Sequence, residues 1–167
     1  MAERAANLNG NKVYPEGDKL VEALRSFFAG QEDVVAAYLF GSHATGKARP
    51  QSDVDTAVLL SEDDDLARFY RRLRLIDEVS DVCGREADVI VLNDAPPLLQ
   101  NEVLKHGRLL FERDRAARVE FEVQAGKIYA DLKPMYDFHT QDLFKKIKEV
   151  GLGGRRRRRR RSAETAR

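Results

Sequence analysis

The sequence has few of the residues that would build covalent cross-links or metal-based scaffolds. Cys83 is the only cysteine among 167 residues, which excludes an intrachain disulfide and a cysteine-based zinc site. The three histidines, His43, His106 and His139, show no metal-ligand spacing. No apolar run is long enough to span a bilayer, and the first residues lack the apolar segment of a signal peptide. These absences exclude a disulfide-stabilised or membrane-spanning protein, so a cytoplasmic protein is expected.

Charge is unevenly distributed along the chain. The formal net charge is +1, but residues 155–167 contain eight arginines and one glutamate. The remaining residues therefore carry 21 basic and 27 acidic side chains, a net charge of −6. An acidic domain does not favour a general nucleic-acid surface, so no specific nucleic-acid partner is expected. The seven consecutive arginines at 155–161 could bind RNA weakly through charge, but without interleaved aromatics a solvated tail is favoured.

Hydrophobic periodicity predicts alternating helices and strands. Apolar residues recur every three or four positions in some segments, which predicts helices, and form short continuous runs in others, which predicts buried strands. The predicted helices span residues 15–31, 42–47, 66–82, 96–106 and a long segment from 114. The predicted strands span residues 34–40, 53–60, 87–92 and, at a sheet edge, 108–111. In the helix 66–82 the arginines predict an outer face, and the apolar repeat predicts an inner face of Leu66, Phe69, Tyr70, Leu73, Ile76 and Val79. Pro134 should kink or break the last helix.

This order of elements argues for an α/β (α+β) protein. We expect a small mixed sheet of about four strands, with helices mainly on one face and a long helix at the C-terminus. Residues 1–14 are expected to form a flexible lead and 15–113 the domain itself. Residues 114–150 are expected to form a helical segment that packs on the domain or on a partner, and 151–167 a disordered, arginine-rich tail.

Residues 41–55 carry the most informative motif of the chain. Gly41 and Ser42 directly follow the apolar run 34–40. Glycine lets the backbone approach a phosphate closely, and a serine that caps a short helix offers its hydroxyl and free N–H groups to phosphate oxygens. Lys47 and Arg49, in the loop that follows, would add positive charge near those phosphates. The segment therefore predicts a triphosphate site.

Two acids complete the motif. Asp53 and Asp55 are two residues apart in a predicted strand, so their side chains leave the same face. Carboxylates and substrate phosphates are the hard oxygen ligands that Mg²⁺ prefers, and two such ions can serve an attacking and a leaving oxygen. A third carboxylate is expected on a neighbouring strand: Asp88 is the best candidate and Asp94 the fallback. The pattern predicts an enzyme that moves a nucleotide from a nucleoside triphosphate to a hydroxyl, mainly by positioning and charge neutralisation.

These residues also resemble a known family. Residues 38–42 (Tyr-Leu-Phe-Gly-Ser) and 52–55 (Ser-Asp-Val-Asp) resemble the DNA polymerase-β-like nucleotidyltransferase superfamily. The short length, residues 107–114 and residues 129–134 look more specifically like the minimal nucleotidyltransferases, the MntA-like antitoxins. The similarity covers about residues 16–145.

The resemblance implies a fold, a reaction and a partner. Such proteins have the nucleotidyltransferase fold and are paired with a HEPN-domain toxin, a ribonuclease. Active members transfer AMP from ATP to a tyrosine of that toxin and release pyrophosphate. The resemblance places Gly41, Ser42 and Ser52 at the nucleotide, with Mg²⁺ held by the three acids. One departure is that His43 and Thr45 stand where arginines are common in this loop, with Lys47 and Arg49 as possible substitutes. The site residues so implied are Asp53, Asp55 and Asp88 for the metal, and Gly41, Ser42, Lys47, Arg49 and Ser52 for the nucleotide.

Two alternatives remain open. The protein could be a non-catalytic antitoxin that neutralises its toxin by binding through the final helix. It could also transfer a nucleotide to a small molecule or an RNA end, although the chain has no obvious second domain that would recognise either acceptor.

Overall fold

A computed structural model describes residues 16–49 and 52–150, with backbone alone for residues 139–150. The predicted lead (1–14) and tail (151–167) lie outside these residues, as does the proline at position 50. Within the described part, no helix is both long and apolar enough to cross a membrane. The helices are α1 (Asp18–Ala29), α2 (Gly41–Ala44), α3 (Asp65–Cys83), α4 (Pro97–His106) and α5 (Arg115–Val150). The strands are β1 (Val34–Phe40), β2 (Val54–Leu60), β3 (Ala87–Val91) and β4 (Arg108–Glu112).

The four strands form one mixed sheet in the order β3-β2-β1-β4. β1 pairs antiparallel with both β2 and β4, whereas β2 and β3 run parallel. The connection between the parallel strands is α3, as expected because parallel neighbours need a helical crossover. The predicted mixed α/β sheet of about four strands, with β4 at an edge and a long C-terminal helix, is confirmed.

Apolar residues from alternate strand positions build two separate clusters. The larger cluster packs α1 and α3 against the sheet through side chains such as Leu24, Phe28, Leu75 and Val58. The smaller cluster joins Tyr38, Leu59, Leu92 and Val103, with Phe121 of α5 packed against it. Because successive strand residues point to opposite faces, the two clusters lie on opposite faces of the sheet.

The inner face predicted for α3 is largely wrong. Leu75, Val79 and Cys83 face the core, together with Arg68. The guanidinium of Arg68 is neutralised by Asp94, whose two carboxylate oxygens it contacts at 2.6 to 3.1 Å, and by Asp65. A buried charge is tolerated when it is paired in this way. Of the predicted inner residues Val79 is buried and Ile76 partly buried, whereas four are exposed. The exposed four are Leu66, Phe69, Tyr70 and Leu73.

The beginning of α5 is fixed to the sheet by a polar network. The Tyr38 hydroxyl donates to Glu122 at 2.8 Å, and Arg118 pairs with Glu122 and, at 2.7 Å, with Glu112. Burial and the neighbouring Glu122 carboxylate raise the pKa of Tyr38 well above its usual range, so the hydroxyl remains a donor.

The chain divides into two compact units, Met1–Tyr129 and Ala130–Arg167, and α5 begins in the first unit.

Pro134 does not break α5, because the helix runs from Arg115 to Val150 with the proline inside it; the alternative, a kink, stays a prediction. Proline removes one backbone hydrogen bond and crowds the preceding turn, and a helix can accommodate this by local adjustment. The division of the chain into residues 15–113 and 114–150 stays a prediction.

Cys83 is a packed core residue. Its side chain is buried at the last residue of α3, and burial raises the pKa of the thiol to about 11. At neutral pH the thiolate is therefore scarce, and thiolate chemistry has no place in this fold.

Candidate active site

Strand pairing brings the motif together at one end of the sheet. β1 ends where the antiparallel β2 begins, so Phe40 stands opposite Asp55. Asp55 in turn stands opposite Asp88 on the parallel β3. Gly41, Asp55 and Asp88 therefore lie on three adjacent strand ends. Asp53 lies just before β2, which begins one residue later than predicted.

Gly41 occupies a position that a larger residue would not fit. Its φ angle is 66°, in the left-handed region that favours glycine. A Cβ atom at this position would lie 2.2 Å from Oδ2 of Asp55, far inside van der Waals contact. The backbone at the end of β1 can therefore rest against the Asp55 carboxylate only because residue 41 has no side chain.

The carboxylate of Asp55 lies in an environment that disfavours its negative charge. It is half-buried, and burial raises its pKa, as do the nearby negative charges of Asp88 and Asp53. His43 acts in the opposite direction, but more weakly. Three acids that repel one another at a partly buried site form the environment that a cation would stabilise.

Asp88 is oriented by Arg72 of α3, a residue on which the strand motif carries no information. Nη2 of Arg72 donates to Oδ1 of Asp88 at 3.1 Å, and Nε donates to the Val89 carbonyl at 2.6 Å. The Val89 N–H also donates to Oδ1 at 2.8 Å. One oxygen of Asp88 is thus tied to the scaffold, which fixes the direction of the carboxylate.

Asp94 is not brought to this end of the sheet. It follows the C-terminal end of β3, whereas Asp88 stands near the N-terminal end of the same strand. Its carboxylate is engaged by the buried guanidinium of Arg68. Of the two candidates for the third acid, the fold therefore places only Asp88 beside Asp55.

The helix after β1 is shorter than predicted and is not capped by serine. It spans Gly41–Ala44, and its N-cap is Phe40, with no side-chain cap. The half-buried Ser42 instead accepts at its carbonyl from the Lys47 N–H at 3.0 Å. The hydroxyl of Ser42 is therefore not needed to cap the helix.

Ser52 and His43 organise the loop that precedes the acids. The Ser52 hydroxyl accepts from the Arg49 N–H at 2.9 Å, and the Ser52 N–H donates to the Arg49 carbonyl at 2.9 Å. Nε2 of His43 lies 3.2 Å from the Ser52 carbonyl and donates to it. Lys47 and Arg49 are exposed on the loop. His43 thus connects α2 to the segment before Asp53. Its position between Gly41 and Asp53 in the motif is the sequence signal for this role.

A cavity of about 300 Å³ adjoins the acids. Asp53 and Asp88 line it from the strand ends, and Ile76 and Ser80 line it from α3. The contribution of α3 could not be read from the strand motif, because those residues follow the motif by more than twenty positions. The cavity offers space for a substrate group beside two of the acids.

The site fits a magnesium ion by its chemistry, although its acids do not form a complete cage. Among residues 16–49 and 52–138, no three histidine, cysteine, aspartate or glutamate side chains are placed to hold a metal by themselves. Mg²⁺ is commonly bound by one or two carboxylates, with waters and substrate phosphates as the other ligands. The carboxylates of Asp53, Asp55 and Asp88 are hard oxygen ligands that lie near one another, so they match this preference.

Arg72 offers a test of how Asp88 is oriented. For the nucleotide transfer that the sequence predicts, we expect Arg72→Gln to lower kcat roughly 10-fold, since loss of a residue that orients a metal-binding group typically costs 10- to 100-fold. Arg72→Lys should recover part of the rate. The KM for the nucleoside triphosphate should stay within about twofold. Steady-state rates of the three proteins measure this. Equal loss in both variants, together with a lower melting temperature, would indicate a structural role only.

Comparisons with known proteins identify relatives of this chain by sequence and by fold. A family model described as polymerase beta, nucleotidyltransferase, matches residues 22–116, more than half of the chain. A candidate protein adenylyltransferase of Methanocaldococcus jannaschii is 35% identical over 71 residues, which cover 42% of this chain and 73% of that protein.

Two solved structures share the fold. One is a toxin–antitoxin with AMP-PNP, at a TM-score of 0.59 and 24% identity, covering 76% of this chain and 97% of that chain. The other is a tri-AMPylated Shewanella oneidensis HEPN toxin in complex with MNT antitoxin, at a TM-score of 0.53 and 23% identity, covering 76% and 94%. At these identities the likeness establishes a common fold.

Proposed function

The chain belongs to the polymerase beta nucleotidyltransferase family, and we propose that it transfers AMP from ATP to a tyrosine of a HEPN-domain toxin. By this modification it would act as the antitoxin of the pair. The observation that carries the proposal is the juxtaposition of Asp55 with Asp88 and Asp53, against the glycine bend that ends β1. The adenylyltransferase relative and the structure that contains an AMPylated HEPN toxin support the choice of donor and acceptor.

The described residues suit an in-line transfer. The tyrosine hydroxyl loses its proton, which leaves to solvent, and its oxygen forms a bond to the α-phosphorus. The bond from that phosphorus to the β-phosphate oxygen breaks, and pyrophosphate leaves. Asp53, Asp55 and Asp88 would hold Mg²⁺, which when bound neutralises phosphate charge and polarises the reacting group. Gly41 lets the β1 end approach the triphosphate, while Ser42, Ser52, Lys47 and Arg49 stand in the segment that would cover it. Positioning and charge neutralisation account for most of the rate in such reactions.

The proposed partners follow from the reaction. ATP is the donor of AMP and the HEPN toxin is the acceptor. The chain and the toxin would form a hetero-oligomer. Because the reaction consumes ATP, we place it in the cytoplasm. The acidic balance of the chain outside residues 155–167 favours a protein acceptor over a nucleic acid. Weak RNA binding by the arginine-rich tail stays a separate proposal.

Mass spectrometry of the acceptor tests the proposal most directly. When the chain is co-expressed with its proposed HEPN-domain partner, we expect that protein to gain one or more AMP groups on tyrosine. Label from ATP carrying ³²P at the α-phosphate should appear on it, whereas label at the γ-phosphate should not.

The binding-only alternative predicts a different result. An Asp55→Asn variant that protects cells as fully as the unmodified chain, with no AMP on the partner in either case, would support neutralisation by binding and contradict the transfer reaction. Label that appears on an RNA end or a small molecule would instead identify a different acceptor.

A further inference from the structure

Helix α3 carries an apolar face that the fold of this chain does not use. The helix packs on the sheet through its opposite side, where Leu75, Val79 and Cys83 are buried. The exposed residues, here called the α3 outer face, are Leu66 (62% exposed), Phe69 (51%), Tyr70 (58%) and Leu73 (44%). The rings of Phe69 and Tyr70 contact each other edge to face, with centroids 5.6 Å apart. A contiguous exposed group of aromatic and aliphatic side chains is typical of a protein interface.

The α3 outer face leads to the candidate active site. Ser80 lies seven residues beyond Leu73, about 10 Å further along the same side of the helix. Together with Ile76 it lines the cavity that Asp53 and Asp88 border from the strand ends. A protein that lies along the outer face would therefore extend towards the cavity that Asp53 and Asp88 border.

Charge around this face indicates which kind of partner would bind. Asp63 and Asp77 are exposed near its two ends, while Arg74 is exposed on one flank. The chain outside residues 155–167 carries a net charge of −6, so acids dominate its surroundings. A second copy of the chain would bring acidic borders together, which is unfavourable. A partner with an apolar patch bordered by lysine or arginine would be complementary in both respects.

We propose that the α3 outer face is the docking surface for the protein acceptor of AMP. The acceptor presents an apolar patch with a basic border to α3, and a hydroxyl side chain of the acceptor enters the cavity beside Asp53 and Asp88. This inference rests on the proposed function, because it names the surface that holds the acceptor of that reaction.

The double variant Phe69→Glu with Leu73→Lys tests the surface. The two changes leave the net charge unaltered and introduce a Glu–Lys pair at i, i+4, which supports the helix. The matched control is Leu98→Glu on α4 with Leu109→Lys on β4, which also leaves the net charge unaltered and replaces side chains that are 42% and 37% exposed. We expect the KM for the HEPN protein to rise at least tenfold in the α3 variant and to stay within twofold in the control. The kcat at saturating partner and the thermal shift caused by ATP with Mg²⁺ should stay within twofold in both.

Each other outcome has a separate meaning. An unchanged KM in the α3 variant, or an equal rise in the control, overturns the docking surface while the transfer reaction stands. If the unmodified chain transfers no AMP, titration calorimetry with the HEPN protein decides. Binding that weakens tenfold only in the α3 variant supports the surface although the proposed reaction fails, and no binding by the unmodified chain overturns both.

Light scattering tests whether the face instead joins two copies of the chain. If the unmodified chain and the control are dimers, the α3 variant is a monomer and KM is unchanged, the face belongs to a homodimer and the proposal is wrong.

Discussion

Replacement of Asp55 by asparagine is expected to lower AMP transfer by roughly 10³-fold, about 4 kcal/mol of transition-state stabilisation. Asparagine has nearly the same shape, so it fits beneath Gly41, but it brings no negative charge to a metal or a phosphate-bound cation. Burial and the neighbouring charges of Asp88 and Asp53 raise the pKa of Asp55, so a neutral side chain at this position relieves desolvation and repulsion in the folded state. The melting temperature should therefore stay the same or rise. Initial rates with labelled ATP and a thermal unfolding curve measure the two effects.

Asp94→Asn is the matched control and should give the reverse pattern. Its carboxylate pairs with the buried Arg68 at the other end of β3, so the change should cost about 1–2 kcal/mol of stability. Transfer activity, measured well below the melting temperature, should stay within about threefold. Two results would contradict the assignment of the acids: an Asp55→Asn protein with more than a tenth of the original rate, or an Asp94→Asn protein that is equally inactive.

Gly41→Ala is expected to cause the second-largest loss. The new Cβ would stand 2.2 Å from Oδ2 of Asp55, so the carboxylate must move by about an ångström. A displacement of this size in a reacting group can cost on the order of 10²-fold in rate. The φ angle of 66° adds backbone strain of about 1–2 kcal/mol. Rates at saturating ATP and urea unfolding measure both terms.

Gly46→Ala separates the clash from the strain. Gly46 has a φ angle of 70°, yet an added Cβ at that position would meet nothing within 4 Å. It should lose a similar 1–2 kcal/mol of stability and keep most of its activity. If Gly46→Ala is as inactive as Gly41→Ala, loop strain alone explains both results and contact with Asp55 has no special importance.

The acids of the site could be chosen from the sequence, but their arrangement could not. The spacing of Gly41, Asp53 and Asp55 after an apolar run is a local pattern, so it predicts both the strands and the chemistry. Asp88 was favoured over Asp94 only because it opens a strand. That Asp88 and not Asp94 stands beside Asp55 depends on β2 and β3 being parallel, and this non-local pairing leaves no mark on either segment.

Helix α3 shows why periodicity was not enough. Two apolar sets lie on it at helical spacing, one containing Phe69 and Leu73 and the other Leu75 and Val79. Either set satisfies the pattern of an amphipathic helix, so the sequence does not say which one enters the core. The fold buries the second set, with Arg68 paired to Asp94 beside it. The first set is left exposed next to the cavity, where we infer that it meets the acceptor.

By itself the sequence determined the order of helices and strands, the membership of the chain in a nucleotidyltransferase family, and the residue types that would bind phosphate and metal. These features are local, since each depends on residues a few positions apart. Only the tertiary structure decided that Asp55 stands between Gly41 and Asp88, that Arg72 orients Asp88, and which face of α3 remains outside. These arrangements depend on contacts between residues far apart in sequence, which are set by strand pairing and by the packing of helices on the sheet.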